Sequence, residues 1–290
     1  MYLTDISHDF TFNIDGKHDE VLHALKFKKN KIKSSLPFLT SRVPLHSNQG
    51  RNTYLLRGKN IFSSVVNYTF VVEDIIKFDW KEGSKNIKYE YLKYADDILA
   101  HYWLSHTFLP LYYYLENIYD MLHMGAIEIN GRACLFAAPS FGGKSTLTHF
   151  FLQKGHKLIA DDRLPVYKKD SHYFAVPSYP YARNYRKIED LGEYIENHLS
   201  KSLPIGNIYR LVQVEAEEKV TILEAKGVNK FAILEMSSDI KLSMLKKKEF
   251  ANLNDLVANF CIYEISIPQN HSRLEEVYKI IVEHFHTNRL

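Results

Sequence analysis

The stretch Ala138-Pro-Ser-Phe-Gly-Gly-Lys-Ser-Thr146 decides how the rest of the chain is interpreted. It follows the phosphate-binding pattern of Gly, four residues and Gly-Lys-Ser/Thr, except that Ala138 stands where the first Gly belongs. Backbone N–H groups of such a loop hold phosphates at a helix N-terminus. Lys144 would add positive charge near the transferred phosphate, and the Ser145 hydroxyl would bind Mg²⁺. The sequence therefore predicts that ATP or GTP binds to Ser140, Phe141, Gly142, Gly143, Lys144, Ser145 and Thr146.

The neighbours of the loop supply the context that the motif requires. Ala126–Ile129 and Arg132–Ala137 flank Asn130-Gly131, which predicts a β-hairpin whose second strand runs into the loop. Apolar residues at helical spacing follow the loop, and Gly155 marks the predicted end of that helix. Leu158–Ala160 then predicts a short buried strand. Strand, loop, helix and strand follow in the order of a nucleotide-binding core.

Two carboxylates, Asp161 and Asp162, follow this predicted strand. Ligands of open α/β sheets bind beyond the carboxyl ends of the strands, so the pair is expected beside the loop. One carboxylate can hold Mg²⁺ and the other can accept the proton of an attacking hydroxyl. The alternative is a surface turn, and the position one helix after a phosphate loop favours the functional interpretation.

Gly155-His-Lys-Leu-Ile-Ala-Asp-Asp162 resembles the Gly-His-Arg-Leu-Val-Ala-Asp-Asp stretch of bacterial HPr serine kinase/phosphorylases. The spacings from Lys144 to Asp161 and from His123 to the loop also fit that family, and the resemblance covers about residues 120–185. It implies an α/β fold with a P-loop core of the HPr kinase/phosphoenolpyruvate carboxykinase type.

The same resemblance implies a role for each matched residue. Lys144 and Ser145 would hold the ATP phosphates and Mg²⁺. Asp161 would be the general base, Asp162 would support the metal or phosphate, and His123 would orient Asp161. Lys144, Asp161 and His123 are therefore the predicted catalytic residues, and Ser145 and Asp162 are the predicted metal ligands.

The sequence after the Asp pair is similar to a broader HPr-kinase-like group. Val176-Pro-Ser-Tyr-Pro-Tyr-Ala-Arg183 resembles the Pro-x-x-Pro-x-x-Arg stretch of this group, which includes kinases that phosphorylate a Ser of lasso-peptide precursors. The Glu-hydrophobic-Arg-Gly-hydrophobic-Gly signature of true HPr kinases is missing from the sequence. Arg183 is a candidate phosphate or substrate clamp, whereas Arg186 is more simply a surface residue.

Composition narrows the function classes. The chain has 290 residues, 46% of them hydrophobic and 24% charged, and its net charge of +3 gives no reason to expect nucleic acid as a partner. Cys134 and Cys261 lie in apolar runs and are expected to be free thiols. Because the longest apolar region is too short to span a bilayer, we expect a cytoplasmic enzyme without a membrane partner.

Two parts are predicted along the chain. Residues 1–95 alternate extended runs with polar turns, which predicts a small, mainly β domain. Residues 96–290 would form the P-loop kinase domain, with an aromatic-rich helical lead-in at 96–121 and the nucleotide core at 122–290. A helix is also predicted at 187–198. The lysines between 26 and 33 indicate either a protected edge strand or a docking surface, and the edge strand is preferred.

These features predict an ATP- and Mg²⁺-dependent kinase that phosphorylates a hydroxyl, most simply a Ser or Thr of a peptide or small protein. Two alternatives remain open at this point. One is a kinase of a small molecule such as an amino acid or sugar. The other is a non-catalytic nucleotide sensor, which Ala138 would favour. Homo-oligomerisation is not decided by the sequence.

Overall fold

The computed structural model describes residues 26–29, 46–48, 51–59, 65–183 and 189–287 and shows a mixed α/β fold. The described residues divide into two compact units. The first contains those from 26 to 116 and from 189 to 191, and the second contains those from 117 to 183 and from 192 to 287. In the described part of the chain, no helix is long and apolar enough to cross a membrane.

The first unit contains a six-stranded sheet in the order β1-β6-β5-β4-β3-β2, in which only β1 and β6 are parallel. Its strands are β1 (Lys26–Lys29), β2 (His46–Asn48), β3 (Arg51–Lys59), β4 (Val66–Val72), β5 (Ile76–Lys81) and β6 (Asn86–Tyr91). Alternating buried residues such as Phe78 and Trp80 give the sheet one apolar face. The lysine-rich β1 lies at a sheet edge, as preferred from the sequence, whereas Lys31 and Lys33 lie outside the described residues.

An aromatic helical segment packs on this sheet. It consists of α1 (Asp97–Trp103), a π-helical turn at Leu104–Phe108 and α2 (Leu109–Leu115). The Phe108 ring stacks on Phe78 with 4.0 Å between centroids. The sequence grouped these helices with residues 96–290, but they belong to the first unit, whose longest stretch ends at Glu116. Pro110 follows the π-helical turn within this continuous helical segment, and because it has no N–H it interrupts the helical hydrogen-bond series there.

The second unit is built on a nine-stranded sheet. Its path runs β10-β8-β9-β15-β12-β11-β7, with β17 also paired to β15 and β16 paired to β17. The strands are β7 (Asp120–Leu122), β8 (Gly125–Ile129), β9 (Arg132–Ala137), β10 (Leu158–Ala160), β11 (Leu164–Lys169), β12 (His172–Ala175), β15 (Leu203–Val214), β16 (Ile222–Glu224) and β17 (Cys261–Pro268). A separate two-stranded ladder joins β13 (Tyr181–Ala182) to β14 (Glu193–Tyr194).

Helices cover the nine-stranded sheet over two apolar clusters. They are α3 (Lys144–Gln153), α4 (Val228–Met236), α5 (Lys246–Asn259) and α6 (Leu274–Thr287), with short 3₁₀ turns at Ser243–Leu245 and His271–Arg273. Cys134 is buried, Cys261 is half-buried, and both are free, as expected.

The helix predicted at 187–198 is wrong for the described residues 189–198. Glu193 and Tyr194 instead form β14, which pairs with β13. Gly192 has a φ of +99°, and any Cβ there would collide with the backbone of Ala182. A side chain in a regular helix is incompatible with this close approach, so the apolar spacing misled the prediction.

Strand directions bring three connections to one edge of the nine-stranded sheet. β8 is antiparallel to both β9 and β10, so β9 and β10 run in the same direction with β8 between them. β15 is parallel to β9 and β17 is parallel to β15. The loop after β9, the Asp pair after β10 and the residues preceding β8 therefore meet at the same edge.

Candidate active site

The loop between β9 and α3 has the sequence Ala138-Pro-Ser-Phe-Gly-Gly143, and α3 begins at Lys144. The predicted hairpin before it is confirmed, with positive φ angles of 51° at Asn130 and 73° at Gly131. Within the loop, φ is positive at Phe141 (64°) and Gly143 (91°). These left-handed residues turn the chain into the helix, so that the first N–H groups of α3 face the loop.

Ala138 fits the loop because Gly142, which faces its methyl group, has no side chain. It is not among the described residues with positive φ, so its backbone does not require glycine. Its methyl group is buried against Gly142, where an added Cβ would lie 2.7 Å from the Ala138 Cβ and 3.0 Å from the Pro139 carbonyl oxygen. The loop thus accommodates Ala138 by having glycine at 142.

Lys144 is buried at the start of α3. Its Nζ donates a 2.8 Å hydrogen bond to the backbone carbonyl of Ala138, at the other end of the loop. The loop therefore closes around the ammonium group. Ser140 and Thr146 are exposed, whereas Ser145 is half-buried on the first turn of the helix.

Asp161 is buried at the end of β10, and only 5% of the residue is exposed. Its Oδ2 accepts a 3.0 Å hydrogen bond from the Arg183 backbone N–H, and its carboxylate also accepts one from the Ser145 side chain. Burial raises the pKa of Asp161 and the charge of Asp162 adds to the rise, although the Arg183 N–H opposes it. This carboxylate therefore contacts the hydroxyl of the second residue of α3.

Asp162 has a different set of partners. Its Oδ1 lies 3.2 Å from His123 Nδ1, and its Oδ2 accepts a 2.7 Å hydrogen bond from Arg183 Nη2. His123 was expected to orient Asp161, but the carboxylate it contacts is that of Asp162. Successive side chains of an extended chain point to opposite sides. Asp161 therefore reaches Ser145, whereas Asp162 reaches His123, which follows β7.

The surroundings of His123 favour its neutral imidazole form. Burial lowers the pKa of His123, and Lys144 and Arg163 also lower it, while Asp162 and Asp239 oppose them. Gly125, two residues after His123, allows the start of β8 to lie against α3, because a Cβ at Gly125 would be 2.5 Å from Thr148 Oγ1. The start of β8 and the first turns of α3 can touch only with glycine at that position.

The residues offer a donor set that suits Mg²⁺. In the described part of the chain, no three His, Cys, Asp or Glu side chains form a complete metal site. Mg²⁺ typically takes one or two carboxylates, with phosphate and water oxygens completing its shell. The Ser145 hydroxyl beside Asp161, with Asp162 next to it, matches that requirement. Arg183 binds Asp162 here, and Arg186 lies outside the described residues.

A relative found by sequence supports the assignment that the motifs indicated, although no family model matches the chain. The chain is 34% identical over 73 residues to the HPr kinase/phosphorylase of Lactobacillus acidophilus. The match covers 25% of this chain and 23% of that relative, so the chain spans less than a quarter of the relative's length. The match supports an HPr kinase-like assignment. The Hpr(Ser) kinase/phosphatase structure from Coxiella burnetii aligns with 57% of this chain and 95% of its own, at 14% identity and a TM-score of 0.34.

Sequence reasoning missed three residues that lie around the Asp pair. Arg163 donates from Nη1 to Asp239 Oδ2 at 3.0 Å, and both residues influence the charge state of His123. Tyr179 is buried, and burial followed by the charge of Asp162 raises the pKa of its hydroxyl. Arg163 could have been suspected from its place after the Asp pair. No local signal indicates Asp239, which a bond from its N–H to the Met121 carbonyl brings to β7.

Proposed function

We propose that this HPr kinase-like chain is an ATP- and Mg²⁺-dependent kinase that phosphorylates a hydroxyl, a Ser or Thr of a peptide or small protein. One observation carries the proposal: Lys144 and Ser145 begin a helix beside a buried carboxylate, Asp161, whose pKa burial raises. A phosphate-binding loop alone would serve any nucleotide-binding protein. A carboxylate in contact with the loop serine adds a group that can act on the reacting phosphate or on its acceptor.

Each residue has a defined task in this proposal. Lys144, released from the Ala138 carbonyl, would donate to phosphate oxygens, and the N–H groups of the loop would hold the remaining charge. Ser145 and Asp162 would bind Mg²⁺, which neutralises charge on the phosphates when bound. Arg183, now paired with Asp162, would turn part of its guanidinium to phosphate.

Asp161 would accept the proton of the acceptor hydroxyl. The acceptor oxygen forms a bond to the γ-phosphorus, the bond from that phosphorus to the bridging oxygen breaks, and ADP leaves with the bond's electron pair. The raised pKa of Asp161 makes it a better base than an exposed aspartate. His123 would act through Asp162, by holding that carboxylate in place while it binds metal.

A peptide or protein acceptor is favoured by the name of the relative, which is a kinase of HPr. The Val176–Arg183 stretch favours peptide substrates through its resemblance to the broader group. An ATP-dependent reaction belongs where ATP is supplied, so the proposal includes a cytoplasmic location.

The experiment is incubation of the full chain with γ-labelled ATP, Mg²⁺ and three sets of acceptors: Ser/Thr peptides, small proteins, and free amino acids and sugars. We expect label on a Ser or Thr side chain, identified by mass spectrometry. Label on an amino acid or sugar alone would replace the peptide acceptor with a small molecule. ATP binding without transfer to any of the three sets would support a nucleotide sensor and contradict the kinase.

A further inference from the structure

The end of β7 that leads to His123 has a bonded neighbour on each edge. On one edge, β11 pairs with β7 in antiparallel register. On the other edge lie residues 237–239, which follow α4. The His123 N–H donates to the Ser237 carbonyl at 2.7 Å, and the Asp239 N–H donates to the Met121 carbonyl at 3.1 Å. The backbone that carries His123 is therefore held from both sides.

An ion pair crosses β7 at this end. Continuing the antiparallel register of β11 with β7 places Arg163 opposite His123, and Asp239 lies opposite Met121 on the other edge. Opposing residues of neighbouring strands face the same side of a sheet, and so do alternate residues of one strand. Arg163, His123 and Asp239 thus share one face of the sheet. Across β7 on that face, Arg163 Nη1 donates to Asp239 Oδ2 at 3.0 Å.

Both side chains of this pair are largely removed from water. The Asp239 side chain is 7% exposed and the Arg163 side chain is 17% exposed. Charges at such depth interact more strongly than they do at the surface, and removal of one partner leaves the other buried and unpaired. Each charge also acts on the His123 imidazole, since Arg163 lowers its pKa and Asp239 raises it. The pair therefore lies close to His123 and adds no net charge there.

The same pair is joined through the chain to the carboxylate that His123 contacts. Arg163 directly follows Asp162, whose Oδ1 lies 3.2 Å from His123 Nδ1. Movement of Asp162 relative to His123 is thus limited at two points. One is their own contact, and the other is the ion pair made by the next residue along the chain.

We propose that Arg163 and Asp239 are positioning residues, whose ion pair keeps His123 against Asp162 and so holds that carboxylate in the orientation that binds Mg²⁺. This inference rests on the proposed function, in which Asp162 and Ser145 bind the metal. An apolar pair could fill the same space, whereas a hydrogen-bonded ion pair also fixes a direction.

The test measures how strongly Mg²⁺ tightens ATP binding by the full-length chain. The dissociation constant of ATP is measured by calorimetry at saturating Mg²⁺ and again in excess EDTA, for wild type, Arg163→Met, Asp239→Asn and the double variant. Arg163→Lys keeps a charged donor, and the contact with Asp239 uses one nitrogen of the guanidinium. Asp255→Asn is the matched control, because Asp255 pairs with Lys168 near the other end of β11.

We expect Arg163→Met and Asp239→Asn each to weaken ATP binding about 10-fold at saturating Mg²⁺ but less than about 3-fold in EDTA, the lower end of the range for partners of a metal ligand. The double variant should lose no more than either single variant, because each substitution alone removes the ion pair. It should melt at a higher temperature than both, since it leaves no unpaired buried charge. Arg163→Lys and Asp255→Asn should bind ATP as wild type does under both conditions.

Several results would overturn the positioning role. A fall in melting temperature with both affinities unchanged would make the pair purely structural. Weaker binding in EDTA for Arg163→Met but not for Asp239→Asn would make Arg163 a phosphate ligand. An equal loss in Asp255→Asn would show that the effect is not specific to this pair. If a single variant does not fold, the double variant decides, and an unchanged effect of Mg²⁺ on its ATP affinity would contradict the role.

Failure of this inference can be told apart from failure of the proposed function. If Mg²⁺ does not tighten ATP binding in the wild type, the metal site at Asp162 and the positioning role are both wrong. Absence of transfer to every acceptor would contradict the kinase alone, because the positioning role is decided by the ATP affinities with and without Mg²⁺.

Discussion

The two sides of the loop between β9 and α3 carry different side chains. On the side of β8 and β10 lie Asp161, Asp162, His123 and Arg183, joined by hydrogen bonds and ion pairs. On the side of β15 and β17, the amide side chains of Gln213 and Gln269 connect the loop to the ends of the two strands, and Arg273 donates to the Ala216 and Glu218 carbonyls. If the loop binds phosphates as proposed, substitutions among the carboxylates of the first side should change phosphoryl transfer most.

The largest effect is expected from Asp161→Asn on the charged side. Loss of the general base should lower kcat by about 10²- to 10⁴-fold, with ATP affinity nearly unchanged. The melting temperature at pH 7 should rise, because burial raises the folded-state pKa of Asp161 and so destabilises the ionised form. Below that raised pKa the native carboxyl is protonated, and the advantage of the variant should fade with falling pH. Phosphate-transfer kinetics and thermal melts check both statements.

Asp170→Asn is the matched control for this substitution. Asp170 is exposed in the turn between β11 and β12, with a φ of 49° that asparagine also tolerates. It should leave both turnover and melting temperature at their wild-type values. If Asp161→Asn transferred the phosphoryl group at a near-normal rate, Asp161 would not be the general base.

Asp162→Asn should change the response to metal. If Asp162 binds Mg²⁺ with Ser145, the Mg²⁺ concentration for half-maximal rate should rise about 10- to 100-fold. The variant should also be less stable, since Arg183 loses its charged partner in a half-buried position. Rate measured against Mg²⁺ concentration is the readout. If instead Asp161→Asn raises the Mg²⁺ requirement and Asp162→Asn does not, the two carboxylates exchange roles.

His123 should make the stability of the fold sensitive to acid. Burial lowers its folded-state pKa, while the unfolded chain keeps a value of about 6.5. Below pH 6.5 the unfolded state therefore binds more protons, and stability falls as pH falls toward the folded-state pKa. His123→Gln should show a flatter dependence of melting temperature on pH between 7 and 5. An unchanged slope in His123→Gln would contradict the burial of the imidazole.

The smallest effect is expected at the base of the loop, between the two sides. Ala138→Gly should alter ATP affinity less than about 3-fold, because the backbone at position 138 does not have the positive φ that favours glycine. Stability should fall by about 1 kcal/mol through loss of a buried methyl group. Gly142→Ala should weaken ATP binding, since its Cβ would meet that of Ala138 at 2.7 Å. Greatly improved binding in Ala138→Gly would mean that Ala138 impairs the loop.

The local part of the site could be predicted from the sequence. The hairpin at Asn130-Gly131, the helix after the loop and the strand before Asp161 all follow from neighbouring residues, and all are confirmed. The partner of His123 could not be predicted, because it depends on how side chains diverge at the end of β10. The ion pair of Arg163 with Asp239 joins residues distant in sequence and has no local pattern.

The surface against which the aromatic helices pack could not be predicted from the sequence either. Their apolar stripe indicates burial but does not say against which surface, and the stacking of Phe108 on Phe78 decides it. The turn at Gly192 was mistaken for helix because hydrophobic spacing carries no information on backbone contact with Ala182. Most turns, strands and helix ends around the loop could be predicted from neighbouring residues, whereas contacts between residues distant in sequence could not.

The central claim is that the loop binds nucleotide phosphates, and calorimetry of ATP binding tests it most directly. Wild type and two lysine variants of the same helix are compared: Lys144→Ala at its start and Lys154→Ala just after its end. Lys144→Ala should weaken ATP binding about 10- to 150-fold, the range for a lost charged hydrogen bond. Lys154→Ala should bind as wild type, because Lys154 pairs with Glu275. Equal ATP affinity in all three proteins would contradict the account.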